Sequence, residues 1–273
     1  MHPDAVPIAG GTDLMVDINF GRRRPPRLLD LTRVEELAGI DVTGEVVRIG
    51  AGATYTELMD HLGAAAPSLA IASRTVGSLQ IRNRGTLGGN LGTASPAGDG
   101  LPPLVAAGAE VEVASKSGTR SVPVVDFCVA PKRNVLAPDE LIVAIHLPRA
   151  RGPQQFAKVG TRNAMVIAVC SFALQLDRVD RQCGTGIGSA APRIVQATAA
   201  EAFANGLIGE HGLWERTGTL SPTELAEFGR LASGAASPID DVRGTAAYRR
   251  HALGVLAART LSWALADRAG LEV

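Results

Sequence analysis

Residues 75–99, TVGSLQIRNRGTLGGNLGTASPAGD, decide how this chain is read. They hold too much Gly, Asn, Ser and Thr for a regular helix or strand, and a loop of that length inside a compact domain is expected to be functional. Within it, Thr86-Leu87-Gly88-Gly89-Asn90 sets two glycines side by side. Bare of side chains, consecutive backbone N–H groups can point at one oxyanion and form an anion nest. The Thr86 hydroxyl and the Asn90 amide add donors without adding charge.

A second glycine pair lies upstream in Ala9-Gly10-Gly11-Thr12-Asp13. There PIAGGTDLMVDI reads as a short strand, a Gly-Gly turn and a helix starting at Thr12-Asp13, whose N-terminal dipole favours negative charge. Two such cradles in one domain suit a diphosphate. A Gly-Gly pair taken singly most often marks a tight turn and nothing more. Neither loop is a Walker A motif, because no Lys-Ser/Thr follows, and neither is the GxGxxG dinucleotide fingerprint.

The chain has 273 residues, enough for one large domain or two ordinary ones. Lys+Arg 27 balances Asp+Glu 27, so no global basic field exists to hold nucleic acid or an anionic membrane. A hydrophobic fraction of 46% with 20% charged residues excludes intrinsic disorder as the main state. Cys128, Cys170 and Cys183 are odd in number and show no CxxC spacing, so no disulfide framework, zinc site or iron–sulfur site is written here. They are read as thiols of a reducing, cytoplasmic compartment. The longest mostly apolar stretch, Ala164 to Leu176, falls short of the roughly 20 residues of a membrane span.

Along the chain, strands are expected at Leu28–Leu31, Glu45–Ile49 and Glu140–Leu147, and a hairpin over Ala109–Val124 turning at Ser117-Gly118. Helices are expected from Val34, and from Thr54, which forms a capping box with Glu57. The polar run ARGPQQ marks a domain boundary. Beyond it, Phe156–Val159, Met165–Leu176 and Cys183–Gly188 read as antiparallel strands, with Met165 and Phe172 in the core. Pro192 opens an Ala-rich helix through Phe203. Leu253, Leu256, Thr260 and Trp263 share one buried helix face. The pattern is α+β rather than a regular βαβ alternation.

The run Thr75–Asp99 closely resembles the signature of the FAD-binding medium subunit of molybdenum hydroxylases, the xanthine dehydrogenase and carbon monoxide dehydrogenase family. AGGTDLM upstream and FAKVGTRNAMVIAV downstream resemble the same family in the same order, and the resemblance covers nearly the whole chain. It implies an FAD-binding part of the vanillyl-alcohol-oxidase type, residues 1–152, in two subdomains, 1–53 and 54–152. A C-terminal domain of antiparallel sheet plus helices, 153–273, follows. The family usually places a strand and helix before the AGG loop, so this member is expected to be N-terminally shortened, by a late start codon or by loss of that support.

The resemblance also implies site residues. Pro7, Ile8, Ala9, Gly10, Gly11, Thr12, Asp13 and Leu14 would wrap the FAD diphosphate on one side, and Thr86, Leu87, Gly88, Gly89 and Asn90 on the other. Val76 would lie against the cofactor, Asp99 would bond its ribose or adenine side, and Ile142 and Lys158 would line the flavin's surroundings. By residue type alone, Asp99 reads equally as a turn or cap aspartate and Lys158 as a solvent-facing strand charge. Arg82 and Arg84 read as phosphate or partner contacts, or as solvated loop charges.

The implied function is electron transfer. A large molybdopterin-binding subunit hydroxylates the substrate, and a small iron–sulfur subunit passes electrons to FAD here. Reduced FAD then serves NAD+ or another acceptor. Molybdopterin and iron–sulfur clusters are expected only in those partners. No catalytic acid or base, no metal ligand, no nucleic-acid contact and no membrane span is assigned to this chain. Three rival readings are a free-standing FAD-dependent reductase, a non-enzymatic assembly subunit that has lost FAD, and a regulator that binds nucleotide phosphates.

Overall fold

Strand β1 (Ala5–Ile8) pairs in parallel with β2 (Arg27–Asp30), so the chain between them must cross over, and it does so through α1 (Leu14–Asn19). The computed structural model describes residues 4–271; the outer ends of the two expected domains, 1–3 and 272–273, lie outside the described residues. This first lobe is thin. No residue of α1 is buried, and Met15, Val16 and Phe20 are exposed.

The second lobe is built on a five-stranded antiparallel sheet of β3 (Ile40–Asp41), β4 (Val46–Gly50), β5 (Glu110–Ser115), β6 (Gly118–Pro123) and β9 (Leu141–Pro148), in the order β3-β4-β9-β5-β6. Period-two alternation decides its faces. Val47, Ile49, Val111, Val113, Ile145 and Leu147 are buried on one side, and their neighbours Arg48, Glu112 and His146 lie on the other. Over the apolar face pack α2 (Tyr55–His61), α3 (Pro67–Arg74), α5 (Leu87–Thr93) and α6 (Leu101–Ala106), through Leu58, Leu69, Leu91 and Leu104. Short α4 (Leu79–Arg82), α7 (Val124–Phe127) and the hairpin β7 (Cys128–Ala130)/β8 (Arg133–Asn134) complete it. Helix α2 opens with the expected Thr54–Glu57 capping box.

The third lobe is an antiparallel sheet of β10 (Gln154–Val159), β11 (Cys170–Asp177) and β12 (Gln182–Gly188), with β11 central, followed by α8 (Thr198–Glu210), α9 (Pro222–Gly234) and α10 (Ala246–Ala266). All eight residues of β11 are buried because both faces are covered. On one side Phe172 meets Phe228 of α9 edge-on, ring centroids 6.3 Å apart. On the other, Ala173 joins Phe156, Ala72 and Ala106 in a small core of its own between the second and third lobes. Backbone approach is very close there: a Cβ on Gly184 would lie 2.0 Å from the Ala106 carbonyl oxygen, and one on Gly186 2.1 Å from that of Pro102. Glycine is required at both places for α6 to rest on β12.

Several local expectations are corrected. The helix expected at Val34 is one 3-10 turn, Glu35–Leu37. The stretch 75–99 contains two short helices, α4 and α5, because Ser78 and Thr86 cap them by accepting the Ile81 and Gly89 N–H groups. Helix α8 starts at Thr198 rather than Pro192, because Val195 is held extended by exchanging backbone bonds with Ile187. Strand β11 begins at Cys170, and Met165 is exposed with φ +50° instead of buried. Leu253, Leu256 and Thr260 are buried on α10, whereas Trp263, at the edge of that arc, is 48% exposed. The three cysteines are free and buried, and among the described residues no group of His, Cys, Asp or Glu is placed to hold a metal.

Gly186→Ala forces α6 off the sheet and is expected to cost about 1–3 kcal/mol, as overpacked sites do. Gly206→Ala, in open space on α8, is expected to be neutral or stabilising. Urea-denaturation midpoints compare the two, and equal midpoints would contradict this account of the contact.

Candidate functional site

All three lobes contribute to one cavity of about 870 Å³. Its floor is the AGGT loop. A Cβ on Gly10 would lie 1.8 Å from the Arg84 carbonyl oxygen and 3.0 Å from the Gly85 Cα, so the two glycine segments press together at that point. Gly11 takes φ +73°, which turns the chain from β1 into α1. Among the described residues, no acceptor takes the backbone N–H groups of Gly10 through Leu14. Five donors in succession are left for a ligand. With only six residues, α1 contributes little dipole, so this nest rests on the loop itself.

The second segment works differently from expectation. From Leu87 to Asn90 its N–H groups are committed inside the protein: Leu87 donates to the Ala53 carbonyl, Gly88 to Ala51, Gly89 to the Thr86 hydroxyl and Asn90 to the Thr86 carbonyl, at 2.9–3.0 Å. It is a capped helix start packed on the sheet edge, not a second nest. The side chains of Thr86 and Asn90 remain available, and Asn90 Oδ1 is buried without a partner. Leu87 does not line the cavity; it is fully buried in the core of the second lobe.

Pro7 through Leu14, Val76, Thr86, Gly88, Gly89, Asn90, Asp99 and Ile142 all line the cavity. Lys158 does not. It lines a neighbouring cavity, and from β10 it reaches across the lobe boundary to Asp99 Oδ2 at 2.5 Å and to the Thr75 carbonyl at 3.0 Å. The solvent-facing alternative for Lys158 is therefore wrong, since both side chains of the pair are 8% exposed. Thr75 Oγ1 also donates to Asp99 Oδ2, while Asp99 Oδ1 is buried with no partner. Burial pushes the Asp99 carboxyl upward, opposed by the Lys158 ammonium and the Thr75 hydroxyl.

Two parts of the site escaped the sequence reading. Tyr55, first residue of α2, lines the cavity; burial pushes its phenol pKa up and the nearby Asp99 charge adds to this. Its only signal was its place after the Thr54 cap. Met165, Val166 and Ile167 bring the third lobe to the cavity wall, and the exposure of Met165 and Ile167 follows from that position.

The chain spans about 58% of the length of a nicotinate dehydrogenase FAD-subunit of Eubacterium barkeri, to which it is 38% identical over 174 residues, 61% of its own length. It is 31% identical to a xanthine dehydrogenase FAD-binding subunit of Escherichia coli O157:H7, over 73% of this chain and 72% of that one. Residues 1–150 match the family described as FAD binding domain in molybdopterin dehydrogenase, and residues 155–264 match the CO dehydrogenase flavoprotein C-terminal domain. The chain belongs to this family of FAD-binding subunits. Its fold superposes on a carbon monoxide dehydrogenase from Hydrogenophaga pseudoflava with TM-score 0.86 and 26% identity, covering 97% of this chain and 91% of that one. For quinoline 2-oxidoreductase from Pseudomonas putida 86 the TM-score is 0.86 at 25% identity, covering 97% and 90%. An FAD-binding domain of this family thus occupies the first two lobes, and its relatives are subunits of oxidoreductase complexes. Among the described residues no helix is long and apolar enough to cross a membrane.

The free N–H run and the orphaned oxygens of Asn90 and Asp99 fit FAD, which brings phosphate acceptors to the first and hydroxyl and amino donors to the second. Gly10→Ala is expected to lower FAD occupancy at least about tenfold, because moving the loop misplaces several charge-assisted bonds together. Gly63→Ala, where a Cβ meets nothing within 4 Å, should leave occupancy unchanged. The flavin-to-protein absorbance ratio after gel filtration reads both, and full retention by Gly10→Ala would contradict the loop assignment.

Proposed function

We propose that this chain is the FAD-binding electron-transfer subunit of a molybdenum hydroxylase. It takes electrons from iron–sulfur clusters of a small partner subunit, supplied in turn by a large molybdopterin-binding subunit, and passes them to NAD+ or another acceptor. The observation that carries this reading is a run of five residues, Gly10 to Leu14, that line a cavity large enough for a dinucleotide and whose N–H groups have no acceptor among the described residues, in a chain of this family. The reading divides the chain into a cofactor-binding part, 1–152, with subdomains 1–53 and 54–152, and a C-terminal domain, 153–273. It places the protein in the cytoplasm.

In this reading the N–H groups of Gly10 to Leu14 bind diphosphate oxygens, and the Thr86 hydroxyl and Asn90 amide hold the same group from the opposite wall. Asp99 Oδ1 accepts a bond from a ribose hydroxyl or the adenine amine. Lys158 keeps the Asp99 carboxylate in place without spending that free oxygen. Val76 and Ile142 supply apolar walls, and the 165–167 segment excludes water from the third-lobe side. FAD, when bound, supplies hydride and single-electron chemistry; the protein supplies position and electrostatics. No side chain is assigned as a general acid or base.

The test is an absorbance spectrum of the purified chain before and after anaerobic NADH, with the chromophore released by heat and identified. FAD bands that bleach support the reading with NAD+ as acceptor, and FAD bands that persist support it with another acceptor. A colourless chain that takes up no added FAD overturns it.

A further inference from the structure

Beside the cofactor cavity lies a second one of about 560 Å³, which shares Gly77, Met165 and Val166 with it. Four cationic side chains line this second cavity, Arg74, Arg82, Lys158 and Arg162, and no carboxylate does. The residues of the diphosphate nest, Gly10 to Leu14, are not part of it.

Guanidinium groups elsewhere in the chain are fixed by carboxylates, as Arg120 by Glu140 and Arg151 by Asp177, or by carbonyls, as Arg178 by those of Trp214 and Asp267. In the second cavity Arg82 and Arg162 are held by carbonyls. Arg82 Nη1 donates to the carbonyls of Arg74, Val76 and Gly77, and its Nε is buried with no partner. Arg162 Nε donates to the Met165 carbonyl at 3.1 Å, and its Nη2 bonds the same oxygen. Among the described residues, neither these two nor Arg74 has a carboxylate within ion-pair distance; only Lys158 has one, Asp99. Carbonyls orient a guanidinium without neutralising it, so Arg82 and Arg162, with the exposed Arg74, line one cavity with no carboxylate partner. Their mutual repulsion is relieved by an anion, and a phosphate offers several oxygens to donors already in place.

We propose that this second cavity is an anion site that takes the phosphate of a small phosphate-bearing ligand, distinct from the nest for the cofactor's own diphosphate. The proposal rests on the flavin-subunit reading, because it assumes FAD fills the first cavity and leaves the second free. The shared wall at Gly77, Met165 and Val166 sets a phosphate bound here next to the cofactor, so the carrier is either free phosphate or a nucleotide that reaches the flavin.

The experiment titrates FAD-loaded protein with inorganic pyrophosphate by calorimetry at low ionic strength. One site per chain is expected. Arg74→Gln and Arg162→Gln should each weaken it by about tenfold or more, Arg74→Lys by less, and the Arg74 variants should keep their flavin. A kinetic arm separates the two sources. If pyrophosphate slows flavin reduction by NADH but not by dihydronicotinamide riboside, which has no phosphate, the site serves the nucleotide; if it slows neither, the site serves free phosphate. No binding to wild type at millimolar pyrophosphate, or binding untouched by both glutamine variants, overturns the proposal. Failure of the flavin reading shows separately, as a colourless sample before any pyrophosphate is added.

Discussion

The arrangement depends on backbone resting on backbone at one place, where α6 lies on β12. With Gly184 and Gly186 under the carbonyls of Ala106 and Pro102, the third lobe docks at a distance no side chain would permit. That contact sets where β10 and the 160–169 segment arrive, and through them where Lys158, Met165 and Val166 meet the second lobe. Buried polar pairing reinforces the docking: Gln154 of β10 accepts from the Ser68 backbone and hydroxyl of α3 and donates to Gln175 of β11. The large cavity is a product of lobe docking rather than a property of one lobe.

The Asp99–Lys158 pair is the polar part of the same constraint. A buried pair gives little net stability, because desolvation offsets the attraction, but removing one partner strands a charge at a cost of about 3–5 kcal/mol. Its value here is geometric. It ties the end of the glycine-rich stretch to the third lobe with one carboxylate oxygen and leaves the other, buried, without a partner. Arg249 on α10 acts from further away: its buried guanidinium holds the carbonyls of Val169 and Ser189, and Ser189 in turn donates its N–H to the Pro96 carbonyl, beside the cavity-lining residues 97–99.

Much of this was legible in the sequence, for physical reasons that differ by position. The strand-forming runs of β4, β5 and β9 and the Thr54–Glu57 capping box are local signals, and the structure obeys them. At the AGGT loop the glycine pair marks what the structure shows there, a turn at Gly11 and a close approach of Gly10 to Arg84. At Thr86–Asn90 the structure differs from the expected nest: Gly88 serves packing on Ala51, and a threonine cap makes the segment a helix start. Leu87 was carried into the site by its neighbours, although an apolar residue inside a glycine motif is more simply a core anchor. Met165 looked like core because it stands in an apolar run, and nothing local announces that the run crosses a cavity mouth before the strand begins. The interlobe pair of Asp99 and Lys158, 59 residues apart, is a tertiary fact that no local pattern encodes.

The central claim, that one cavity depends on the docking of all three lobes, is tested most directly by calorimetric unfolding with and without added FAD. If the lobes and cofactor form one unit, a single transition is expected, and FAD at a hundredfold excess over its Kd should stabilise it by about 2.7 kcal/mol. That is roughly 5–10 °C for a chain of this size. Two transitions, with FAD shifting only one of them, would contradict the account and leave the third lobe a bystander to cofactor binding.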